Sequence, residues 1–301
     1  MTAVSDLINR TRNDYLRTGQ PEVRNKLNGA ISDSAELLTF SRPLNALSTG
    51  SRISIGLEDM HVWSADSAAS TADVDRGEYG TTAASADDKA VVLVNPRYSD
   101  SQILRALNSG VSMLASEGLF AVSTIEVTHQ TGVNGYDLAS SVNVLGLVDV
   151  LWESPTALQK QWSRLPHVRL IRNANSSDFA SGTGVAIDRG VPNGATIRVT
   201  YKHELSASLS GLTDAFETAT GLESDAIDLV CIAAALHLTA GKEIALNEPD
   251  AARPRRSSET PPGTFSQADS NLRTLYRDRV RAERRRLNDK HATFRVREFV
   301  I

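Results

Sequence analysis

The sequence predicts an α+β fold, in which a helical core is joined to two small antiparallel β-barrel or β-sandwich units. The core would consist of an N-terminal helix, a buried central helix and a basic C-terminal helix. Residues 226–238 are almost all apolar, which is typical of a helix buried on nearly every side. Residues 36–95 and 119–210 instead alternate apolar and polar side chains, which is typical of short antiparallel strands. The 301 residues are 41% hydrophobic and 23% charged, as in a globular chain of two or three domains.

The N-terminal segment, residues 1–35, begins with a helix predicted over 4–18. One face of that helix carries residues at helical spacing, namely Val4, Leu7, Ile8, Thr11 and Tyr15. Gly19-Gln20-Pro21 ends it, and residues 23–31 fit either a helix or a loop. The first β unit, residues 36–95, follows.

A connecting helix is predicted over residues 96–118, with Ser99 as its cap. Its apolar face consists of Ile103, Leu104, Leu107, Val111 and Leu114. The second β-sandwich, residues 119–210, contains strands predicted over 119–129, 141–151, 167–173, 184–188 and 195–203. Pro192-Asn193-Gly194 predicts a turn between the last two strands.

The buried central helix occupies residues 211–249. Thr220 and Glu223 have the spacing of a capping box, and Asn247 with Pro249 ends the helix. The apolar run is about 13 residues long, whereas a bilayer-spanning helix needs about 20. We therefore expect a helix inside a soluble domain, and no secretion signal or membrane span is recognisable.

Residues 250–301 are predicted to form a linker, a basic helix over 266–290 and a C-terminal arm. Residues 253–298 carry 12 arginines and one lysine against six carboxylates, a net charge of +7, so the remainder of the chain carries −11. The helix has a thin apolar seam of Leu272, Leu275, Tyr276, Val280 and Leu287. Its arginine-rich faces fit either a solvated surface or a docking arm for an acidic protein or nucleic acid.

The arm alternates apolar and basic residues, as a strand added to a sheet edge would. Its last apolar residues are costly to leave in water, so a partner or the chain's own body should cover them. The candidate partner-binding residues of the basic helix and arm are Arg277, Arg281, Arg284, Arg285, Phe294, Val296, Phe299 and Ile301.

No arrangement of residues predicts an active site. The six histidines lack metal-ligand spacing, and neither a P-loop nor a Gly-x-Ser-x-Gly motif is present. The neighbouring carboxylates Glu58 and Asp59 should point to opposite faces of a strand, which is unsuited to acid–base catalysis. Cys231 and His237 lie in the apolar run and are interpreted as core residues. We expect no catalytic residue, cofactor or metal, and a structural or binding protein rather than an enzyme.

Three segments together resemble structural proteins of tailed bacteriophages. The first is the β unit, where Arg76-Gly77 and Gly80-Thr81 are similar to a motif of many virion proteins, although Lys89 and Ser85 or Ala86 replace its usual glycine and histidine. The second is the helix RYSDSQILRALNSGV. The third segment is an ordered series of elements: the strand IRVTYK, the apolar helix DAIDLVCIAAALHLTAGKEI, a linker rich in Arg and Pro, and the Arg-rich helix. This order resembles the neck proteins of siphophages, the head-to-tail adaptors beneath the portal ring.

The resemblance implies a ring, commonly of twelve copies, that encloses the DNA channel without sequence-specific binding. It implies the portal protein, the next neck or tail protein and neighbouring copies as partners, with no membrane. The implied location is the virion neck, at the head–tail interface, after synthesis in the host cytoplasm. Because the arm would reach the portal, removing residues 294–301 should leave the fold intact but abolish joining to the portal.

Other functions stay open at this point. The chain also fits a stopper, a tail terminator, or a baseplate or tail-attached structural protein. A regulatory protein that binds nucleic acid through residues 266–290 would show steeply salt-dependent DNA affinity. An enzyme acting on surface glycans would use Trp63, Trp152 or Trp162 to stack sugar rings, although packing is the commoner use of tryptophan.

Overall fold

The computed structural model describes residues 1–16, 22–43, 46–138, 143–154, 161–187, 190–246 and 264–292. It is mostly β-sheet, with 33% strand and 29% helix, and has three antiparallel sheets. The predicted fold with a helical core was therefore wrong. The apolar run at residues 226–238 is recognisable from its own sequence, so the prediction gave the helices too much weight. Strands of three to five residues bury few side chains each, and they form only by pairing with strands that are distant in the sequence.

The chain divides into two compact units, each built from three separate stretches of the sequence. The first unit contains the described residues of Met1–Gly110, Ser208–Phe216 and Ile227–Arg273. The second contains the described residues of Val111–Ala207, Glu217–Ala226 and Thr274–Ile301. Each unit is assembled from distant parts of the sequence, so neither corresponds to one continuous stretch of chain.

The first unit contains a six-stranded sheet curled into a half-barrel. Its strands are β1 (Val23–Lys26), β2 (Leu37–Thr39), β3 (Arg52–Ile55), β4 (Glu58–Asp66), β5 (Thr71–Glu78) and β6 (Val91–Val94). They are arranged in the order β1-β6-β3-β4-β5-β2, and a bridge between Leu27 and Phe40 links the chain beyond the two outer strands. The core side chains include Leu38, Ile53 and Met60, none of which is exposed.

Strand β1 lies where the sequence favoured a helix or a loop. Its one buried residue is Asn25, whose side-chain amide donates to the Arg42 carbonyl oxygen over 3.1 Å. Because the inward position is polar, the strand lacks the alternation that identifies a strand in a sequence. The helix-or-loop prediction was therefore wrong for residues 23–26.

The helices of the first unit pack beside this sheet. They are α1 (Val4–Arg10), which continues as a π-helical turn (Thr11–Tyr15), the first part of α2 (Asp100–Ser116), and α4 (Ile227–Leu246). Helix α4 is buried from Ile227 to Leu236, apart from the partly exposed Asp228, which forms an ion pair with Arg10. The prediction of a buried helix is confirmed for this stretch, but His237 is exposed, so its interpretation as a core histidine was wrong.

The second unit contains two facing sheets. The four-stranded sheet has the order β10-β9-β13-β7 and the three-stranded sheet the order β11-β12-β8. The strands are β7 (Ala121–Thr128), β8 (Gly135–Asp137), β9 (Val144–Glu153), β10 (Trp162–Arg164), β11 (Val168–Arg172), β12 (Thr183–Ile187) and β13 (Thr196–His203). The predicted turn at 192–194 is present, but it leads from one sheet to the other instead of closing a hairpin.

The predicted capping box does not form. Helix α3 (Phe216–Thr220) ends at Thr220, and a 3₁₀ turn (Ser224–Ala226) precedes α4. The Thr220 hydroxyl accepts a hydrogen bond from the Leu222 amide over 3.2 Å, while the Glu223 carboxylate binds Lys290. Helix α5 (Thr264–Lys290) follows, close to its predicted bounds. Within the described ranges, no helix is long and apolar enough to cross a membrane.

Candidate docking surface on the basic helix

From Thr274 onward, helix α5 belongs to the second unit and packs there along a narrow seam. Tyr276, Val280 and Leu287 are buried at helical spacing, and Glu283 is 9% exposed between them. Burial raises the pKa of Tyr276 to about 12, with a further contribution from the Glu117 carboxylate. Leu275 is 43% exposed, so its placement in the apolar seam was wrong. The seam fixes which side of the helix faces away from the protein.

An ion-pair network fastens the C-terminal part of α5. Arg286 donates to Glu283 over 2.7 and 2.8 Å and to Glu223 over 3.0 Å, and Lys290 donates to Glu223 over 2.6 Å. The Lys290 hydrogen bond is the main cause that lowers the pKa of Glu223. The hydrogen bonds to Glu283 and then to Glu223 raise the pKa of Arg286.

Four arginines form an exposed stripe on the outward side of this helix. The arginine stripe is defined as Arg277, Arg281, Arg284 and Arg285, and all four are exposed. The spacing i, i+4, i+7 and i+8 places them on one side of a helix with 3.6 residues per turn. These four residues were predicted from the sequence as partner-binding residues, and the structure brings them together.

Little negative charge offsets the stripe among the described residues. Arg281 lies 3.9 Å from Asp278, with the two side chains 73% and 68% exposed, so solvent screens this pair. Arg284 packs over Gly118, where an added Cβ would lie 3.6 Å from the guanidinium carbon. No carboxylate of the described chain pairs with Arg277, Arg284 or Arg285. The stripe is thus a cationic surface held in a fixed place.

The other predicted site residues belong to the C-terminal arm. Phe294, Val296, Phe299 and Ile301 lie outside the described residues. The proposed docking role of the arm therefore stays a prediction from the sequence.

An acidic face on the first unit was missed by the sequence analysis. Asp73 and Asp75 of β5 are exposed, on either side of the buried Val74, and among the described residues no cation pairs with them. On the neighbouring strand β4, Trp63 is 56% exposed and its ring packs edge-on against His61, 5.2 Å between centroids. We call Asp73, Asp75 and Trp63 the acidic face. This face could have been predicted from the sequence, because Asp-Val-Asp within a strand places both carboxylates on the same side of the sheet.

The motif that carried the resemblance forms a buried polar framework. Arg76 makes a two-pronged ion pair with Glu58, which also accepts hydrogen bonds from the Gly77 and Ala84 amides over 3.0 Å. The Thr81 hydroxyl donates to the Glu78 carbonyl oxygen over 2.8 Å and accepts from the Asp59 amide over 3.0 Å. These contacts fold the loop after β5 onto β4, so the motif has a structural role here.

One pair of side chains resembles catalytic geometry. Ser123 Oγ lies 2.9 Å from His203 Nε2, and His203 Nδ1 lies 2.8 Å from the Glu204 backbone carbonyl oxygen. The backbone oxygen replaces the carboxylate of a serine-hydrolase triad, and His203 is only 8% exposed. The pair links the adjacent strands β7 and β13. In the described ranges no three His, Cys, Asp or Glu side chains converge as metal ligands.

No protein-family model matches this sequence, and no curated protein matches it significantly.

Proposed function

We propose that this protein is a structural component of a tailed-phage neck, a head-to-tail adaptor that assembles as a ring beneath the portal. The sequence resemblance suggests the neck. The observation that supports assembly is the presence of two oppositely charged surfaces on one chain: the arginine stripe of the second unit and the acidic face of the first.

The two surfaces match in spacing as well as in charge. Asp73 and Asp75 are two residues apart on a strand, a rise of about 6.6 Å. Arg277 and Arg281 are four residues apart on a helix, a rise of about 6 Å. The exposed Trp63 adds an aromatic surface on which a guanidinium group can stack. A stripe from one copy therefore fits the acidic face of another.

This contact joins different surfaces of identical chains. Such a heterologous contact leaves one free stripe and one free acidic face on every incomplete oligomer, so growth continues until a ring closes. The large charge asymmetry, +7 over residues 253–298 against −11 elsewhere, favours the same head-to-tail association. The partners would be neighbouring copies, the portal protein and the next neck or tail protein.

The head-to-tail contact is tested by charge reversal. The variants R277E/R281E and D73R/D75R should each lose self-association, because like charges would then face each other. The chain carrying all four substitutions should regain it, and W63A should weaken it. Oligomer size is measured by analytical ultracentrifugation at about 0.15 M salt and again at high salt, where association should fall.

A matched control separates local contact from total charge. R24Q/K26Q/R42Q/K89Q removes four exposed positive charges from the first unit and should associate like the unaltered chain. Loss of association in this control, or its retention in both charge-reversed variants, would contradict the head-to-tail contact.

The location in the neck is tested by negative-stain electron microscopy of the chain alone and mixed with the portal of its phage. Rings of about twelve copies on the portal would support the adaptor. Rings with six-fold symmetry would support a stopper or terminator instead. Monomers in both samples would refute the ring, and steeply salt-dependent DNA affinity would then favour nucleic-acid binding.

A further inference from the structure

A pocket in the first unit brings together three arginines from distant parts of the sequence. Its volume is about 590 Å³. Its wall is formed by strand β3, the loop after β5, the segment before α2, α2 itself and the middle of α4. The lining residues are Arg52, Tyr79, Arg97, Tyr98, Gln102, Arg105, Ala106, His237 and Leu238. We call this site the arginine pocket.

Two of its guanidinium groups have no carboxylate partner among the described residues. Arg97 is exposed, and its guanidinium carbon lies 5.6 Å from the centre of the Tyr98 ring. Arg105 donates only to backbone oxygens, those of Tyr79 and Ser101, over long distances of 3.4 Å. Both groups keep free donors, so the pocket attracts an anion.

The third arginine, Arg52, is less exposed and is held by hydrogen bonds to other residues of the first unit. Arg52 Nη2 donates to the buried Asp59 carboxylate and, over 2.9 Å, to the Ser99 hydroxyl. Its Nε is buried and has no acceptor within the described structure. Its guanidinium carbon lies 4.4 Å from the centre of the Tyr79 ring, and that tyrosine is 44% exposed. Arg52 and Tyr79 thus place a guanidinium group over an aromatic ring at the pocket.

These features define the chemical class of the ligand. A guanidinium fork matches the oxygens of a phosphate group and can donate two hydrogen bonds to it. The pocket volume lies within the range of roughly 300–1,000 Å³ that is typical of small-molecule sites. The pocket is therefore larger than a bare phosphate requires. Guanidinium and phenol planes stack on flat ring systems, and Ala106 and Leu238 supply apolar wall.

We propose that the arginine pocket binds a nucleoside phosphate, with the phosphate on Arg97 and Arg105 and the base against the Tyr79–Arg52 pair. The ligand could be a free mononucleotide or the phosphorylated end of a nucleic-acid strand, since both present the same chemistry. This site is separate from the arginine stripe, so its failure would leave the assembly proposal intact.

The test is isothermal titration calorimetry of the full chain with adenosine monophosphate. The unaltered chain should bind it more tightly than adenosine or inorganic phosphate alone. R97Q/R105Q should lower the affinity at least ~10-fold, since each lost hydrogen bond to a charged group accounts for about that factor. The control R24Q/R42Q, which removes two exposed charges elsewhere in the same unit, should bind as before. Circular dichroism should show unchanged folding, because Arg97 and Arg105 are both exposed.

Competition identifies the source of the ligand. Displacement of the mononucleotide by a 5′-phosphorylated oligonucleotide, but not by its unphosphorylated form, would identify a strand end; displacement by neither would identify a free nucleotide. Absence of mononucleotide binding would overturn the proposal. Equal affinity for the mononucleotide in R97Q/R105Q and the unaltered chain would also overturn it.

Discussion

Arg76 binds Glu58 through two parallel hydrogen bonds, Nε to Oε1 over 2.7 Å and Nη2 to Oε2 over 2.8 Å. The side chains are only 7% and 2% exposed. Arg76 also donates to three backbone carbonyl oxygens, those of Ser32, Ala35 and Ala84. One arginine therefore connects β4 to three loop positions of the first unit.

Breaking this pair should destabilise the half-barrel strongly. Arg76→Met leaves the Glu58 carboxylate buried without its partner, which costs ~3–5 kcal/mol for a buried pair. The measurement is hydrogen exchange of the amides in β4 and β5, compared with the unaltered chain. Lys89→Met, which removes a 52% exposed lysine from the same unit, should change the exchange free energy by less than ~0.5 kcal/mol. Similar values for the two variants would contradict the structural role of the pair.

Gly110 permits a close approach of α2 and α4. A Cβ added there would lie 3.2 Å from the Ala233 Cβ and 3.2 Å from the Val230 carbonyl oxygen. Gly110→Ala gains up to ~1 kcal/mol of helix propensity but loses ~1–3 kcal/mol to overpacking against atoms that are backbone or rigid. We expect net destabilisation of about 1 kcal/mol in urea unfolding.

Ser109→Ala is the matched control for this position. It lies next to Gly110 on α2, and its hydroxyl contacts only the Arg105 carbonyl oxygen of the same helix. Alanine should be neutral or slightly stabilising there, because it has the higher helix propensity. A stabilised Gly110→Ala variant would show that the two helices separate easily.

Acid should loosen the C-terminal part of α5. The pKa of Glu223 is lowered in the folded chain, so its contribution to stability is present above about pH 4.5 and is lost as the pH falls through the lowered value. Hydrogen-exchange protection factors for residues 283–290, corrected for intrinsic rates, should decrease between pH 7 and pH 3. Glu223→Gln cannot ionise, so its protection should be lower at pH 7 and change less on acidification.

The thiol of Cys231 should be inert in the folded chain. Desolvation by burial raises its pKa to about 11. At pH 8 the thiolate fraction is then roughly 200-fold below that of an unfolded cysteine with a pKa of about 8.5. Reaction with a disulfide reagent should accordingly be slow in buffer and fast in urea. Fast labelling of the folded chain would show that α4 opens readily.

Local patterns in the sequence determined the elements that form without distant partners. Helices α2 and α5 were predicted within a few residues, because their caps, apolar faces and charges recur every three or four positions. The arginine stripe was predicted for the same reason, since four residues within nine positions of one helix share a side whatever lies beneath them. The longer strands β7, β9 and β13 were predicted within a few residues from their alternation.

Only the tertiary structure decided which elements meet. Strand β1 pairs with β6, and the short strands β8 and β10 exist because they add to β12 and β9, pairings that no local pattern encodes. The arginine pocket joins Arg52 to His237, residues far apart in the chain. Burial likewise depends on neighbours, so His237 lies in an apolar run of sequence and yet is exposed. Periodicity fixes which side of an element a residue occupies, whereas its surroundings depend on long-range packing that the local sequence does not specify.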